Sequence, residues 1–364
     1  MDPPARACPD VVSWLRVCLV PGVPPRTLRK LLVACGTPQS LLAEDPARVA
    51  AIAGPGIAVA FARGCEASLL EATLRWLEAP GHDVVALGDA RYPPRLLQIE
   101  DPPPLLYVAG HAERLAQEAF AIVGSRNATA QGREDAEAFA EALSRAGLAI
   151  VSGLAMGIDA AAHRGGLRGP GSSVAVMGTG PEACYPADHG RLAAALERDG
   201  CLVSEFPVGT PPRPGNFPRR NRLITGMSLG VLVVEAGLPS GSLTTARHAL
   251  EQGRDVFAMP GSIHSPLSKG CHWLIKEGAK LAECALDVLE ELRWERGAQA
   301  VEAAAPDDRD GLLNAMGRDP VSLDQLAKRS GLGAASVAAR ISALELEGRV
   351  AALPGALFQR IGGP

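Results

Sequence analysis

The side chains in this chain best suited to chemistry are cations and small polar residues. Between Pro207 and Ser228 the sequence holds Arg213, Arg219, Arg220 and Arg222 within ten residues, and no acid interrupts the stretch. Guanidinium forks match phosphate oxygens, often two bonds at a time. Phe217 stands among them on a proline-rigid loop, and Asn216 and Asn221 add neutral hydrogen-bonding groups. An aromatic ring beside such cations can stack an unpaired base. The structural alternative places Phe217 in the core and pairs Arg222 with Glu205 or Glu235.

A second set of residues points to the same chemistry. Gly124-Ser125-Arg126-Asn127 follows one apolar run, and Ser152-Gly153-Leu154 follows the next. Gly178-Thr179-Gly180, Glu235 through Ser240-Gly241-Ser242, and Pro260-Gly261-Ser262 follow three more. Glycine lets backbone N–H groups approach a ligand, and a helix starting after each turn directs its positive dipole end there. One such turn would mean little, but several on one rim favour an anion such as phosphate.

Catalytic groupings are sparse. The seven histidines are scattered; His163 is expected to cap or pack, and Asp159 to begin a helix and complement its dipole. No G-x-S-x-G elbow, Walker A lysine loop or H-E-x-x-H is present. Gly178-Thr-Gly-Pro-Glu-Ala183 fits the dinucleotide fingerprint in form, but Pro181 and Pro186 interrupt the turn, so no nicotinamide or flavin cofactor is expected. The eight cysteines form no C-x-x-C pair, so no zinc site is expected and the thiols read as reduced and mostly buried.

These turns need strands and helices to hold them. Apolar runs at 120–123, 149–151, 173–177, 201–204, 231–234, 255–258 and 280–282 read as strands. Helical patterns at 131–145, 159–167, 188–198, 242–252 and 286–292 lie between them. Continuous apolar strands alternating with helices predict a doubly wound, mostly parallel Rossmann-like α/β sheet. In such sheets ligands bind beyond the carboxyl ends of the strands, where these turns fall.

Residues 1–80 read as an N-terminal helical domain. Within it, Leu19 to Leu28 has the form of a helix–hairpin–helix (SAM-like) turn, which can offer backbone N–H groups to phosphate or serve only as a packing module. The core spans 83–292. Residues 293–309 show no apolar period and read as a linker. From 310 to 364 a winged helix is expected: helices at 312–316, 322–331 and 335–347, then a wing hairpin at 349–361. Between Ala334 and Glu347 the only cation is Arg340, against Glu345 and Glu347. That suits a protein contact better than major-groove reading.

The 364 residues carry a net charge of −4 and a sequence pI near 6.0, so any nucleic-acid site must be a local patch and not a basic coat. Apolar residues make up 47%, enough for a large core. The N-terminus lacks the apolar stretch of a signal peptide, and no run spans a bilayer, so a cytoplasmic protein is expected.

Taken together, the motifs resemble the DNA-processing protein A family, also called Smf, over essentially the whole chain. The resemblance rests on Ala121-Ile-Val-Gly-Ser-Arg126, Ser152-Gly-Leu-Ala-Met-Gly-Ile-Asp-Ala-Ala-Ala-His163, Phe217-Pro-Arg-Arg-Asn-Arg222, Val234-Glu-Ala, Ser240-Gly-Ser-Leu-Thr244 and Met259-Pro-Gly261. It implies a single-stranded-DNA-binding protein that forms homodimers through the core. Such a protein protects incoming DNA and loads a RecA-type recombinase during natural transformation. Carried over, Gly124, Ser125 and Arg126 would hold a phosphate, Arg220 and Arg222 would line the same pocket, and Phe217 would meet a base. Gly153, Ser240 and Gly241 would shape the floor, with Asn127, Arg213, Arg219, Asn221 and Ser242 around it. The chain departs from the family pattern at Gly270-Cys271-His272, Glu182 and His189.

The expectation is therefore a non-enzymatic mediator making three to five phosphate contacts. The competing reading is a nucleotide-binding phosphoribohydrolase-like enzyme on the same rim, with Glu235 or Asp159 poised at a ribose. A third reading is a regulator that binds duplex DNA through the tail.

Overall fold

The structure is a computed structural model that describes residues 10–294, 311–317 and 319–361. Helices α1 (Val11–Cys18), α2 (Pro25–Cys35), α3 (Pro38–Leu42), α4 (Pro46–Ala53), α5 (Pro55–Arg63) and α6 (Ala67–Trp76) open the chain. Proline sits in the first turn of α2 through α5, where its missing N–H has no helical partner to lose and its fixed φ suits the helix. The hairpin between α1 and α2 turns at Gly22, whose φ of 77° favours glycine.

The core sheet has nine strands: β1 (His82–Ala86), β2 (Leu105–Gly110), β3 (Ala119–Gly124), β4 (Ala149–Ser152), β5 (Ser173–Val176), β6 (Cys201–Ser204), β7 (Gly230–Val234), β8 (Asp255–Ala258) and β9 (Lys280–Leu281). Their spatial order is β1-β2-β6-β5-β4-β3-β7-β8-β9. The strands from β6 to β9 in that order run parallel, as expected. β1 and β2 were not anticipated as strands; they add an antiparallel extension at one edge. β1 pairs only with β2, and β2 reaches the rest of the sheet through a partner far off in sequence (Tyr107 stands opposite Ser204).

Between the strands lie α7 (Ala130–Arg145), α8 (Ile158–Gly166), α9 (Gly190–Asp199), α10 (Asn216–Gly226), α11 (Gly241–Glu251), α12 (Lys269–Lys276) and α13 (Ala285–Glu291). On one face of the sheet Phe120, Ile122 and Ile150 pack with Phe139, Ala162 and Val288. On the other, Ala121, Val123 and Val233 pack with Leu223, Ile224, Ala246 and Leu274. Burial on both faces explains why these strands are continuously apolar. A third cluster joins Leu15, Leu19 and Trp76 to Tyr107, Leu196 and Leu202, so the first helices rest on the antiparallel extension.

Two helices depart from expectation. The basic stretch anticipated as a loop up to residue 222 is helical from Asn216, because Pro218 falls in the first turn, where helices tolerate it. α12 occupies a stretch for which no element was anticipated.

The C-terminal unit comprises α14 (Gly311–Met316), β10 (Val321–Ser322), α15 (Leu323–Ser330), α16 (Ala334–Leu346), β11 (Val350–Leu353) and β12 (Leu357–Arg360). Ser322 and Gln325 form a capping box on α15. Leu312, Leu326, Ile341, Leu344 and Val350 make its own small core. Of the expected linker at 293–309, residues 295–309 lie outside the described residues.

Candidate nucleic-acid interface

The chain runs outward from β3 to β4, β5 and β6 on one side and returns to place β7 on the other, so β3 and β7 flank the switch point of the sheet. Gly124 ends β3 there. A Cβ on it would fall 1.8 Å from the Val234 carbonyl oxygen and 2.7 Å from Ile158, so only glycine fits. The neighbouring turn closes on the first: Ile158 N–H donates to the Ser125 carbonyl at 3.2 Å. Gly157 has φ 78°, and a Cβ there would sit 2.2 Å from that same carbonyl. The two turns are thus stacked, and Arg126 and Asn127 project outward, exposed.

Glu235 follows β7 in the left-handed region, φ 52°. Its carboxylate accepts from the Thr129 N–H at 2.8 Å and the Thr129 hydroxyl at 2.6 Å, capping the start of α7. Ser240 caps α11, with its hydroxyl 2.7 Å from that of Ser242. Gly241 is exposed beside them, and Ser242 is buried.

Beneath the Gly153 turn lies a buried polar cluster. The Asp159 carboxylate accepts from the N–H groups of Gly153 and Ala155, at 3.1 and 3.4 Å. Burial pushes its pKa up, and the charge of Arg220 opposes that rise. Arg220 is itself only 4% exposed. It donates to the Gly153 carbonyl at 2.8 Å, to the Val176 carbonyl, and to the Asn221 side chain at 3.2 Å. Burial lowers its pKa to about 10, while Asp159 works against that fall and Arg126 adds to it.

His163 completes the cluster. Its Nε2 accepts from the Leu154 N–H at 3.2 Å, and Nδ1 lies 2.8 Å from the Ser173 hydroxyl. That hydroxyl donates to the Ile150 carbonyl, which leaves it to accept from Nδ1–H and assigns the neutral tautomer. Burial, with the charge of Arg220 next, lowers the His163 pKa to about 3. The residue packs, as expected, and holds Leu154 at φ 58°.

Arg220 and Arg222, expected to line one pocket with Arg126, separate, as do Arg213 and Arg219 expected around it. Arg222 is 13% exposed on its side chain, bonds the Asp101 carbonyl and meets the Glu205 carboxylate at 2.5 Å. Arg219, one turn back on the same face of α10, reaches Glu205 at 3.1 Å and lies over the Phe206 ring at 5.4 Å. The structural alternative weighed for Arg222 is therefore the one realised, with Glu205 as partner. Helical periodicity is the reason: residues three apart share a face, and Arg220 is turned away from both. Arg213 precedes the helix and is exposed, like Arg126, and neither has a carboxylate partner among the described residues.

Phe217 is half-buried, and a Cβ on Gly178 would lie 2.7 Å from its ring. Tyr185, absent from the expected site, stands beside it with ring centroids 5.3 Å apart. It is 48% exposed. Its place on the loop after β5 was visible in the sequence, but its pairing with Phe217 was not. Of the departing positions, Glu182 accepts from Gly209 N–H at 2.6 Å, His189 lies 3.0 Å from the Leu154 carbonyl, and Cys271 is buried.

The two carboxylates that an enzyme reading would use are both occupied, Glu235 by Thr129 and Asp159 by its own turn. No helix among the described residues is long and apolar enough to cross a membrane.

The family and the fold are shared with known proteins. Residues 83–293 match the family described as DNA recombination-mediator protein A, and residues 296–356 match the DprA winged helix domain. Protein Smf of Escherichia coli K12 is 45% identical over 297 residues, 79% of each chain. DNA processing protein DprA of Streptococcus pneumoniae R6 is 46% identical over 206 residues, 57% of this chain and 73% of the relative. The X-ray structure of the Streptococcus pneumoniae protein superposes with a TM-score of 0.68 at 36% identity, covering 78% of this chain and 96% of that one. DNA processing protein A from Helicobacter pylori, described for its single-stranded DNA binding mode, gives 0.53 at 26% identity, covering 58% and 95%.

Proposed function

Because the chain belongs to the DNA recombination-mediator protein A family, also named Smf, we propose that it binds single-stranded DNA along the carboxyl rim of its sheet and catalyses no reaction. The observation that carries this reading is the stacking of the Gly124 and Gly153–Gly157 turns at the switch point, with Arg126 exposed above them. An exposed guanidinium with no carboxylate partner, beside glycine turns that leave room for close approach, suits a phosphate. The helix start at Ser240 and the Phe217–Tyr185 pair extend the surface, the first toward phosphate and the second toward bases.

The bound strand is incoming DNA, which the protein protects and delivers to a RecA-type recombinase during natural transformation. It acts in the cytoplasm as a homodimer formed through the core. The phosphate contacts come from Arg126, Arg213 and the half-exposed Arg219, while Arg220, Asn221 and Arg222 serve from below as supports. Two or three contacts imply a slope of log K against log salt of roughly −1.4 to −2.1 for a single strand. That is shallower than the upper end of the three to five contacts expected from the sequence would give.

Fluorescence anisotropy with single- and double-stranded oligonucleotides at two salt concentrations tests this. The single strand should bind tighter, and Arg126→Ala should weaken binding and flatten the slope by about 0.7. Equal affinity for duplex, or an unchanged slope in Arg126→Ala, overturns the reading. Incubation with AMP should release no adenine; steady release would favour the hydrolase.

A further inference from the structure

The rim does not end at Phe217. β2 runs antiparallel to β6 with Tyr107 opposite Ser204, which brings Pro103 and Pro104, just before β2, to the carboxyl end of β6. Phe206 and Pro207 follow β6 at the same place. The α1–α2 hairpin closes over them and leaves a cleft of about 420 Å³. Val23, Pro24, Pro104 and Phe206 are among its apolar walls, and Glu205 and Arg219 bring its charged groups, beside Tyr107 and Cys18.

Glu205 is the unusual member. Its side chain is 1% exposed. Oε2 receives Arg219 and Arg222, but Oε1 has no hydrogen-bond partner among the described residues. A buried acceptor without a donor is costly, so Glu205 has room for one more donor. Two guanidiniums already neutralise the carboxylate, so what fits is a neutral donor and not another cation. The apolar walls ask that it be flat and apolar on its faces.

We propose that this cleft holds one unpaired nucleobase of the single strand, with its exocyclic amine donating to Glu205 and Arg219 at the adjoining phosphate. The proposal rests on the single-stranded-DNA reading above. β6 neighbours β5, about 4.8 Å away, and Phe217 lies on the Gly178 turn at the end of β5. The two base positions are therefore close enough for neighbouring nucleotides of one extended strand. Cytosine, adenine and guanine present an exocyclic amine. Thymine presents its single N–H between two carbonyl oxygens that the carboxylate repels.

Anisotropy with oligo(dC) and oligo(dT) of equal length tests the proposal on the full chain. The wild type should prefer oligo(dC) by about tenfold, the scale of one hydrogen bond to a charged group. Val23→Trp, and separately Pro24→Trp at an exposed part of the wall, should fill the cleft and erase the preference. Unchanged oligo(dT) binding in each variant would show that the rim is intact. Equal wild-type affinities, or a preference that survives both substitutions while oligo(dT) still binds, overturns the base pocket alone. Binding to neither oligonucleotide overturns the function beneath it as well.

Discussion

Arg220→Ala separates support from contact. Arg220 is 4% exposed and bonds the carbonyls of Gly153 and Val176. Its charge also opposes the burial-driven rise in the Asp159 pKa. Truncation strands two acceptors and leaves Asp159 without its counter-charge. Breaking a buried pair from one side typically costs about 3–5 kcal/mol. For a core of this size that corresponds to a fall in Tm of roughly 10 °C. Circular dichroism should show this fall, and Asp159→Asn added to Arg220→Ala should recover part of it. The pH dependence has a definite sign. Losing Arg220 raises the folded pKa of Asp159 further above its unfolded value of about 3.9. A raised pKa confers stability below the unfolded value and loses it as pH climbs, so the deficit should shrink toward pH 4. Measured well below the transition, the variant should keep the wild-type salt slope. If Arg220→Ala melts with the wild type yet binds weakly with a slope reduced by about 0.7, Arg220 touches phosphate and this reasoning fails.

Three further outcomes follow from the same geometry. His163 has its folded pKa depressed to about 3, so its contribution is present above about 6.5 and is lost as pH falls, at roughly 1.4 kcal/mol per unit between those values; denaturant titrations should show that slope, and His163→Gln should remove it. Tyr185→Ala should weaken single-strand binding by about 1–3 kcal/mol at an unchanged salt slope, the mark of lost stacking; a change of slope would speak against a base contact. Removing residues 310–364, whose small core is separate from that of the sheet, should leave single-strand affinity intact, whereas its loss would place the DNA contact in the tail.

The rim turns were legible because their demands are local. A glycine with no room for a Cβ, as at Gly124, or a left-handed one, as at Gly157, leaves its mark in the residue itself. The parallel strands announced themselves by being apolar throughout, since both faces are covered. The winged helix showed in its capping residues and its apolar period. β1 and β2 did not; their antiparallel place at the edge is set by the pairing of β2 with β6, as between Tyr107 and Ser204, and of β1 with β2.

The sequence by itself determined the layered α/β fold and the family, because periodicity and turn chemistry are carried by neighbouring residues. It also determined that cations gather near residue 220. Which of those cations meet solvent was decided only by tertiary structure. Once Asn216–Gly226 coils, successive arginines point in different directions. Glu205, brought beside them at the end of β6, captures Arg219 and Arg222, while Asp159 and two carbonyls surround Arg220. A charge's role depends on what lies within a few ångströms of it, and that proximity is set by how the chain folds back on itself.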